Sequence, residues 1–130
     1  MPPIPNGYHT ITPYLVVTEP AALIDFIVQA FGGRERMRMA GPDGRITHAE
    51  VTIGDSVLML GGASDAVAVF PGMIHLYLDD VDAFYRRAIE AGATSLREPA
   101  DQAYGDRSAG VTDKWANQWW IAAPIASPAG

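Results

Sequence analysis

The spacing of apolar side chains in the first half of the chain predicts a strand, a helix and three further strands. A run of β-branched and aromatic residues at 10–17 is typical of a strand, and Pro13 favours an edge position because it cannot donate a ladder hydrogen bond. Apolar residues at helical spacing between 23 and 31 indicate a helix that begins near Pro20 and ends at Gly32. Three strands are predicted after it, at residues 34–39, 46–53 and 57–60.

The same order of elements recurs in the second half. After a connection at 61–72, a strand is predicted at 74–78, followed by a helix that Asp80 caps and Gly92 ends. Three more strands are predicted at 95–97, 106–112 and 118–122, the first of them short. The repeat predicts a single domain, residues 1–130, of the α+β class, made of two βαβββ modules at about 8–62 and 73–124.

Each predicted helix can cover only one face of its sheet, so the opposite face stays open. Two such sheets side by side would form a cup-shaped sheet, and we expect a ligand to bind in the cup. Strand alternation places aliphatic side chains under the helices and polar or aromatic ones on the open faces. On this basis the ligand-binding candidates are Thr12, Tyr14, Met73, His75, Tyr77 and Trp120, whereas Trp119 is expected in the core.

Composition and charge narrow the choice of partners. The 130-residue chain carries a net charge of −6, which argues against binding to a phosphate backbone, so no nucleic-acid partner is expected. No apolar run approaches the length of about 18 residues that a membrane span needs. The amino-terminal residues lack the pattern of a signal peptide, and there is no cysteine. We expect a cytoplasmic protein without a membrane partner.

Three residues are candidates for catalysis, because imidazole and carboxylate groups carry out acid–base chemistry. His75 is the first. The alternative interpretation is that His75 is only structural and that its hydrogen bonds stiffen the cup. His48 and Glu50 lie two residues apart on one predicted face and could orient each other, although an exposed polar sheet face is the simpler interpretation. Together the three form a two-histidine, one-carboxylate set of the kind that some iron sites use, which the spacing does not enforce.

A loop and an aromatic cluster add further candidates for ligand binding. Tyr104 and Arg107 lie in a glycine-containing, charged loop, where Arg107 could clamp an anionic group or pair with Asp106. Trp120 is the tryptophan expected to form an aromatic wall of the pocket.

Four strings follow one another along nearly the whole chain: YHTITPYLVV from Tyr8, GPDGRITHAE from Gly41, HLYLDDVD from His75 and ADQAYGDR from Ala100. In this order they resemble the vicinal oxygen chelate superfamily of glyoxalase, bleomycin-resistance and dioxygenase proteins, in particular its PhnB-like branch. The resemblance implies the paired βαβββ fold. Near the end, DKWANQ replaces the string DPFGHV that resembling proteins usually carry, so that Asn117 and Ala116 stand where a histidine and a glycine are usual.

The resemblance also implies where a metal would bind in the metalloenzymes of the superfamily, which take one His, Gln or Glu from each of four strands. Those positions correspond here to Thr12, Met59, Met73 and Trp120, none of which is a good ligand for a divalent metal. We therefore expect no metal and no cofactor. Met59 joins the ligand-binding candidates because of its place in this set.

The favoured hypothesis is a metal-independent small-molecule-binding protein of the glyoxalase/bleomycin-resistance type, which holds an apolar or aromatic compound and sequesters it. The alternative is a lyase, isomerase or dioxygenase-like enzyme that uses His75, His48 and Glu50. A third hypothesis is a domain kept mainly for assembly. The open faces carry apolar side chains whose exposure to water is unfavourable. We therefore expect a homodimer, in which these faces would be covered.

Overall fold

The computed structural model describes residues 2–125, and the chain divides into two compact units, the first ending at Pro71 and the second beginning at Gly72. The first unit holds one helix and a four-stranded sheet in the order β1-β4-β3-β2, in which β1 runs parallel to β4 and the other pairs are antiparallel. Its elements are β1 (Tyr14–Val17), α1 (Pro20–Phe31), β2 (Arg34–Ala40), β3 (Ile46–Ile53) and β4 (Ser56–Gly62).

The helix α1 forms because Pro20 occupies its first turn, where a missing amide hydrogen costs nothing, and Gly32 ends it in the left-handed conformation at φ 68°. Its apolar side packs on one face of the sheet, and Leu23 and Ile27 are fully buried there. Val51 and Leu60 on the sheet are likewise fully buried, so the core of the unit lies between α1 and this face.

The second unit repeats the plan with a sheet in the order β5-β8-β7-β6, in which β5 is parallel to β8. Asp80 caps its helix by accepting a hydrogen bond from the Ala83 amide at 3.1 Å. Trp119, Ile121 and Val111 are fully buried in its core. The elements are β5 (Met73–Tyr77), α2 (Val81–Glu90), β6 (Thr94–Asp101), β7 (Asp106–Thr112) and β8 (Gln118–Pro124).

The turn from β7 to β8 is organised around one buried carboxylate. Asp113 accepts hydrogen bonds from the backbone amides of Trp115 and Asn117, at 2.8 and 3.0 Å, and from the side chains of Asn117 and Trp119, at 2.9 and 2.8 Å. Ala116 adopts a positive φ of 70°, a conformation that glycine enters at less cost. Asn117 is fully buried and also accepts the Gly72 amide at 2.9 Å, so its role here is structural.

The predicted α+β fold of two βαβββ modules is confirmed, and the largest differences in strand length occur at the first and sixth strands. The first strand begins at Tyr14, so residues 10–13 lie outside it, and Pro13 immediately precedes an edge strand. The sixth strand was expected to be short but spans Thr94–Asp101. Register shifts near Arg97 interrupt its alternation, which is why a pattern of period two did not reveal its length. Within residues 2–125, no helix is long and apolar enough to cross a membrane.

Candidate functional site

The face of the first sheet opposite α1, which we call the first open face, brings together four of the predicted residues. The register pairs Met59 of β4 with Tyr14 on one side and with Glu50 on the other, and His48 precedes Glu50 by two residues on the same strand face. Neighbouring strands are about 4.8 Å apart, so these side chains are in contact range. Strand alternation and the register together place them on one face.

A cavity of about 650 Å³ lies where the amino-terminal segment passes over this face, and we call it the amino-terminal cavity. Met59 of β4 and Thr12, which precedes β1, both predicted from the sequence, contribute to its wall. Most of the other lining groups are apolar, small or aromatic, which is the usual character of a pocket for a small organic molecule. The complete lining is Pro3, Ile4, Pro5, Tyr8, His9, Thr10, Thr12 and Met59.

A chain of hydrogen bonds crosses the first open face beside the cavity. The Tyr8 hydroxyl donates to Oε1 of Glu50, whose Oε2 lies 2.8 Å from Nε2 of His48. The other ring nitrogen of His48, Nδ1, lies 2.9 Å from the hydroxyl of Tyr14. We refer to these four residues as the Tyr8–Tyr14 relay. It links the wall of the cavity, at Tyr8, to a phenol that is 44% exposed, at Tyr14.

The interpretation of Glu50 as part of an exposed polar sheet face is wrong, because its exposure is only 5%. The amino-terminal segment covers it through Tyr8, a contact between residues 42 positions apart that strand alternation cannot reveal. The other interpretation, that His48 and Glu50 orient each other, agrees with the hydrogen bond between them.

The burial of Glu50 and its hydrogen bonds shift the pKa values of two groups of the relay, Glu50 and Tyr8. Burial by itself raises the pKa of Glu50, but the hydrogen bonds from Tyr8 and His48 outweigh it and hold the pKa below its usual value. The hydrogen bond to the Glu50 carboxylate raises the pKa of Tyr8, since it stabilises the protonated phenol. The guanidinium of Arg36 lies 4.7 Å from the centre of the Tyr8 ring and holds it from the other side.

The second sheet has a corresponding open face, which carries four of the predicted residues. The register pairs His75 with Trp120 and places Met73 and Tyr77 on the same side of β5. The rings of His75 and Tyr77 lie 4.9 Å apart, and Met73 and Tyr77 are 65% and 68% exposed. Apolar and aromatic groups with this exposure suit the binding of a flat organic molecule.

Trp120 is held in place by two residues that the sequence did not single out. A Cβ atom on Gly110 would lie 2.5 Å from Cζ3 of Trp120, so the ring rests directly on a glycine backbone. The Arg97 guanidinium lies 4.9 Å from the ring and also donates to the hydroxyl of Ser108. Trp119, the neighbouring residue, is fully buried in the core as predicted.

Arg107 and Tyr104 lie at a different part of the second unit. Arg107 does not pair with Asp106. It donates to both carboxylate oxygens of Asp82, from Nε to Oδ1 at 2.7 Å and from Nη2 to Oδ2 at 3.0 Å. It also donates to Asp101 at 3.1 Å. The hydrogen bonds from Arg107 hold the pKa of Asp82 below its usual value. Tyr104 is 70% exposed in the turn that precedes β7. With two carboxylates already bound to it, Arg107 has little donor capacity left to clamp an anion.

The two units, each with a helix on one sheet face and an open opposite face, define a protein of the glyoxalase/bleomycin-resistance fold. The chain belongs to the Glyoxalase/Bleomycin resistance protein/Dioxygenase superfamily, whose sequence profile matches residues 7–121. It is 38% identical over 131 residues to uncharacterized proteins of Mycobacterium bovis and Mycobacterium tuberculosis. The matches cover 92% of this chain in both cases, and 86% and 77% of the two relatives respectively.

Solved structures share the fold. TioX from Micromonospora sp. ML1 has a TM-score of 0.76 at 24% identity and covers 90% of this chain and 99% of its own. TnmS3, an antibiotic binding protein from Streptomyces sp. CB03234, has a TM-score of 0.70 at 24% identity, covering 90% of this chain and 96% of its own. A superfamily member from Sphaerobacter thermophilus has a TM-score of 0.71 at 20% identity, covering 88% and 96%.

The donor chemistry at the four metal-ligand positions implied by the resemblance does not fit a divalent metal. In the first unit these positions hold Thr12 and Met59, and a thioether is a poor ligand for a hard ion. In the second unit they hold Met73 and Trp120, whose indole N–H donates to Gln118 at 3.1 Å. No group of three or more His, Cys, Asp or Glu side chains that could hold a metal occurs in the described part of the chain.

Proposed function

We propose that the protein binds a small, largely apolar or aromatic molecule at the amino-terminal cavity without using a metal, and that sequestering this molecule is its function. The observation that carries the proposal is the cavity itself, a space of about 650 Å³ with a mostly apolar wall on the first open face. A volume of this size suits a drug-sized ligand. The fold is shared with TnmS3, an antibiotic binding protein, which supports binding as the activity.

The other predicted ligand-binding residues belong to the same proposal. On the second open face, Met73, His75, Tyr77 and Trp120 supply an apolar and aromatic surface for such a ligand. Their exposure supports this role, since water-facing apolar groups of this size usually mark a binding surface. We also propose the finer placement in the PhnB-like branch and a cytoplasmic location, which rest on the sequence alone.

Two methionines of the first sheet provide a matched test. Met59 lines the cavity, whereas Met39 of β2 pairs with His48 and is not part of the cavity wall. We expect Met59→Gln, which replaces a thioether by an amide of similar shape, to weaken binding of the neutral probe N-phenyl-1-naphthylamine about tenfold, because an amide is costly to desolvate against an apolar ligand. Met39→Gln should leave the affinity unchanged. Probe fluorescence measures both, and equal affinities for the two variants would contradict the proposed site.

A second candidate function is an acid–base enzyme of the lyase or isomerase type, and the pairing of His48 with buried Glu50 favours it. A buried carboxylate that orients an imidazole is a common arrangement for proton transfer. His75 is the corresponding candidate of the second unit. Exchange of the α-hydrogens of 2-tetralone for deuterium, followed by NMR, tests this alternative. It predicts faster exchange with the wild-type protein than with His48→Gln, and equal rates would exclude a role for His48 in this proton transfer.

A further inference from the structure

When His48 is neutral, the charge on Glu50 fixes the direction of every hydrogen bond in the Tyr8–Tyr14 relay. A carboxylate can only accept hydrogen bonds, so the Tyr8 hydroxyl and the N–H at Nε2 of His48 must both donate to Glu50. A neutral imidazole with its proton on Nε2 has a lone pair on Nδ1. The hydroxyl of Tyr14, 2.9 Å from that Nδ1, must therefore donate to it.

The Tyr14 oxygen then has only acceptor capacity left, because its single proton is committed to His48. Tyr14 as a whole is nevertheless 44% exposed, so its side chain is open to a ligand on the first open face. Its position is also restricted from below, since a Cβ atom on Gly61 would lie 2.8 Å from the Tyr14 oxygen. Met59, which lines the amino-terminal cavity, is the direct neighbour of Tyr14 in the parallel ladder.

We propose that Tyr14 is the specificity-determining residue of the first open face and selects ligands that carry a hydrogen-bond donor, an O–H or N–H group, on a flat apolar body. This inference rests on the proposed function, since it assumes that the amino-terminal cavity takes the apolar body. A phenol or aryl amine satisfies the Tyr14 oxygen. A ligand that offers only an ether or carbonyl oxygen would place this acceptor against the acceptor oxygen of Tyr14. Neither oxygen would then have a hydrogen-bond donor, and both would have lost their water partners, so binding would be weaker.

Two probes of nearly the same shape test the selection. 2-Naphthol carries a donor, and 2-methoxynaphthalene has the same ring system with the donor removed. At a pH of about 7.5, we expect the wild-type protein to bind 2-naphthol about tenfold more tightly than 2-methoxynaphthalene, as one added hydrogen bond predicts. Isothermal titration calorimetry gives both dissociation constants.

Three variants identify the cause of the preference. Tyr14→Phe should reduce the ratio of the two dissociation constants to about one, because it removes both the acceptor for 2-naphthol and the acceptor that opposes the ether oxygen of 2-methoxynaphthalene. His48→Leu should also reduce the ratio, because it frees the Tyr14 proton to donate, an effect that a purely structural role of Tyr14 would not produce. Tyr85→Phe, which removes a hydroxyl bonded to Ser95 in the second unit, is the control and should keep the ratio.

The outcomes separate this inference from the proposed function. If neither probe binds the wild-type protein, the proposed function fails and the inference fails with it. If both probes bind with equal affinity, or if Tyr14→Phe retains the preference for 2-naphthol, the inference is overturned while the proposed binding function stands.

Discussion

At the residue scale, the sequence placed the right side chains on the open faces but did not reveal what covers or supports them. Period-two alternation is a local property, so it correctly assigned His48 and Glu50 to one face. The contact of Glu50 with Tyr8 spans 42 positions, and the amino-terminal segment that carries Tyr8 has no regular secondary structure to predict it from. The support of Trp120 by Arg97 was hidden for a related reason, because register shifts interrupt the strand that bears Arg97.

Replacing Glu50 tests the charge at the centre of the relay. The folded-state pKa of Glu50 is lowered, so its contribution to stability is complete above the unfolded-state pKa of about 4.3 and disappears as the pH falls through the folded-state value. We expect Glu50→Gln to lower the free energy of unfolding by about 2 kcal/mol at a pH of about 5.5, and by progressively less towards pH 3. Urea denaturation across this range measures the difference.

Glu90→Gln, at the exposed end of α2, is the control and should change stability little at any pH in the range. A difference between Glu50→Gln and wild type that stays constant down to pH 3 would contradict the account of Glu50 as a stabilised carboxylate.

At the scale of elements, the sequence predicted strands well where apolar side chains alternate and poorly where they do not. The predicted bounds of β3 and β7 agree with the structure, since both strands are central and have a fully buried face. Edge strands β1 and β6 differ from the prediction in length. An edge strand pairs on one side only, so fewer of its positions are constrained to alternate, and β6 is exposed at nearly every position.

The turn between β7 and β8 gives a prediction at this scale, because a single carboxylate holds it. Asp113→Ala leaves four donors without their acceptor, two of them on side chains that are fully buried, and we expect a loss of about 3 kcal/mol or more in the free energy of unfolding. Denaturant midpoints measure the loss. Asp113→Asn, which keeps one acceptor oxygen, should lose less and remain folded.

Asp43→Ala is the matched control for this turn. Asp43 also accepts a backbone amide within a turn, that of Arg45 at 3.0 Å, but in an exposed position and with no other donor among residues 2–125. We expect a loss below about 1 kcal/mol, and a similar loss at Asp113 and Asp43 would show that the buried network does not hold the second unit together.

At the scale of the whole molecule, the predicted homodimer remains a proposal, and the exposed apolar side chains are its support. Ile11, Phe70 and Tyr77 are 84%, 71% and 68% exposed, and large apolar groups with this exposure usually mark an interaction surface. Sedimentation equilibrium at micromolar concentration decides the point. We expect twice the chain mass of 13.9 kDa, and a species of 13.9 kDa that still binds N-phenyl-1-naphthylamine would refute the dimer.

The central claim, that a small apolar molecule binds in the amino-terminal cavity, is tested most directly by NMR of the methionine methyl groups. The chain contains five methionines, and of these Met59 alone contributes to the wall of the cavity among the residues the structure describes. When N-phenyl-1-naphthylamine is added to saturation, its ring currents should shift the Met59 methyl resonance strongly and leave that of Met39 in place. Saturable binding that leaves the Met59 resonance unmoved would contradict the account.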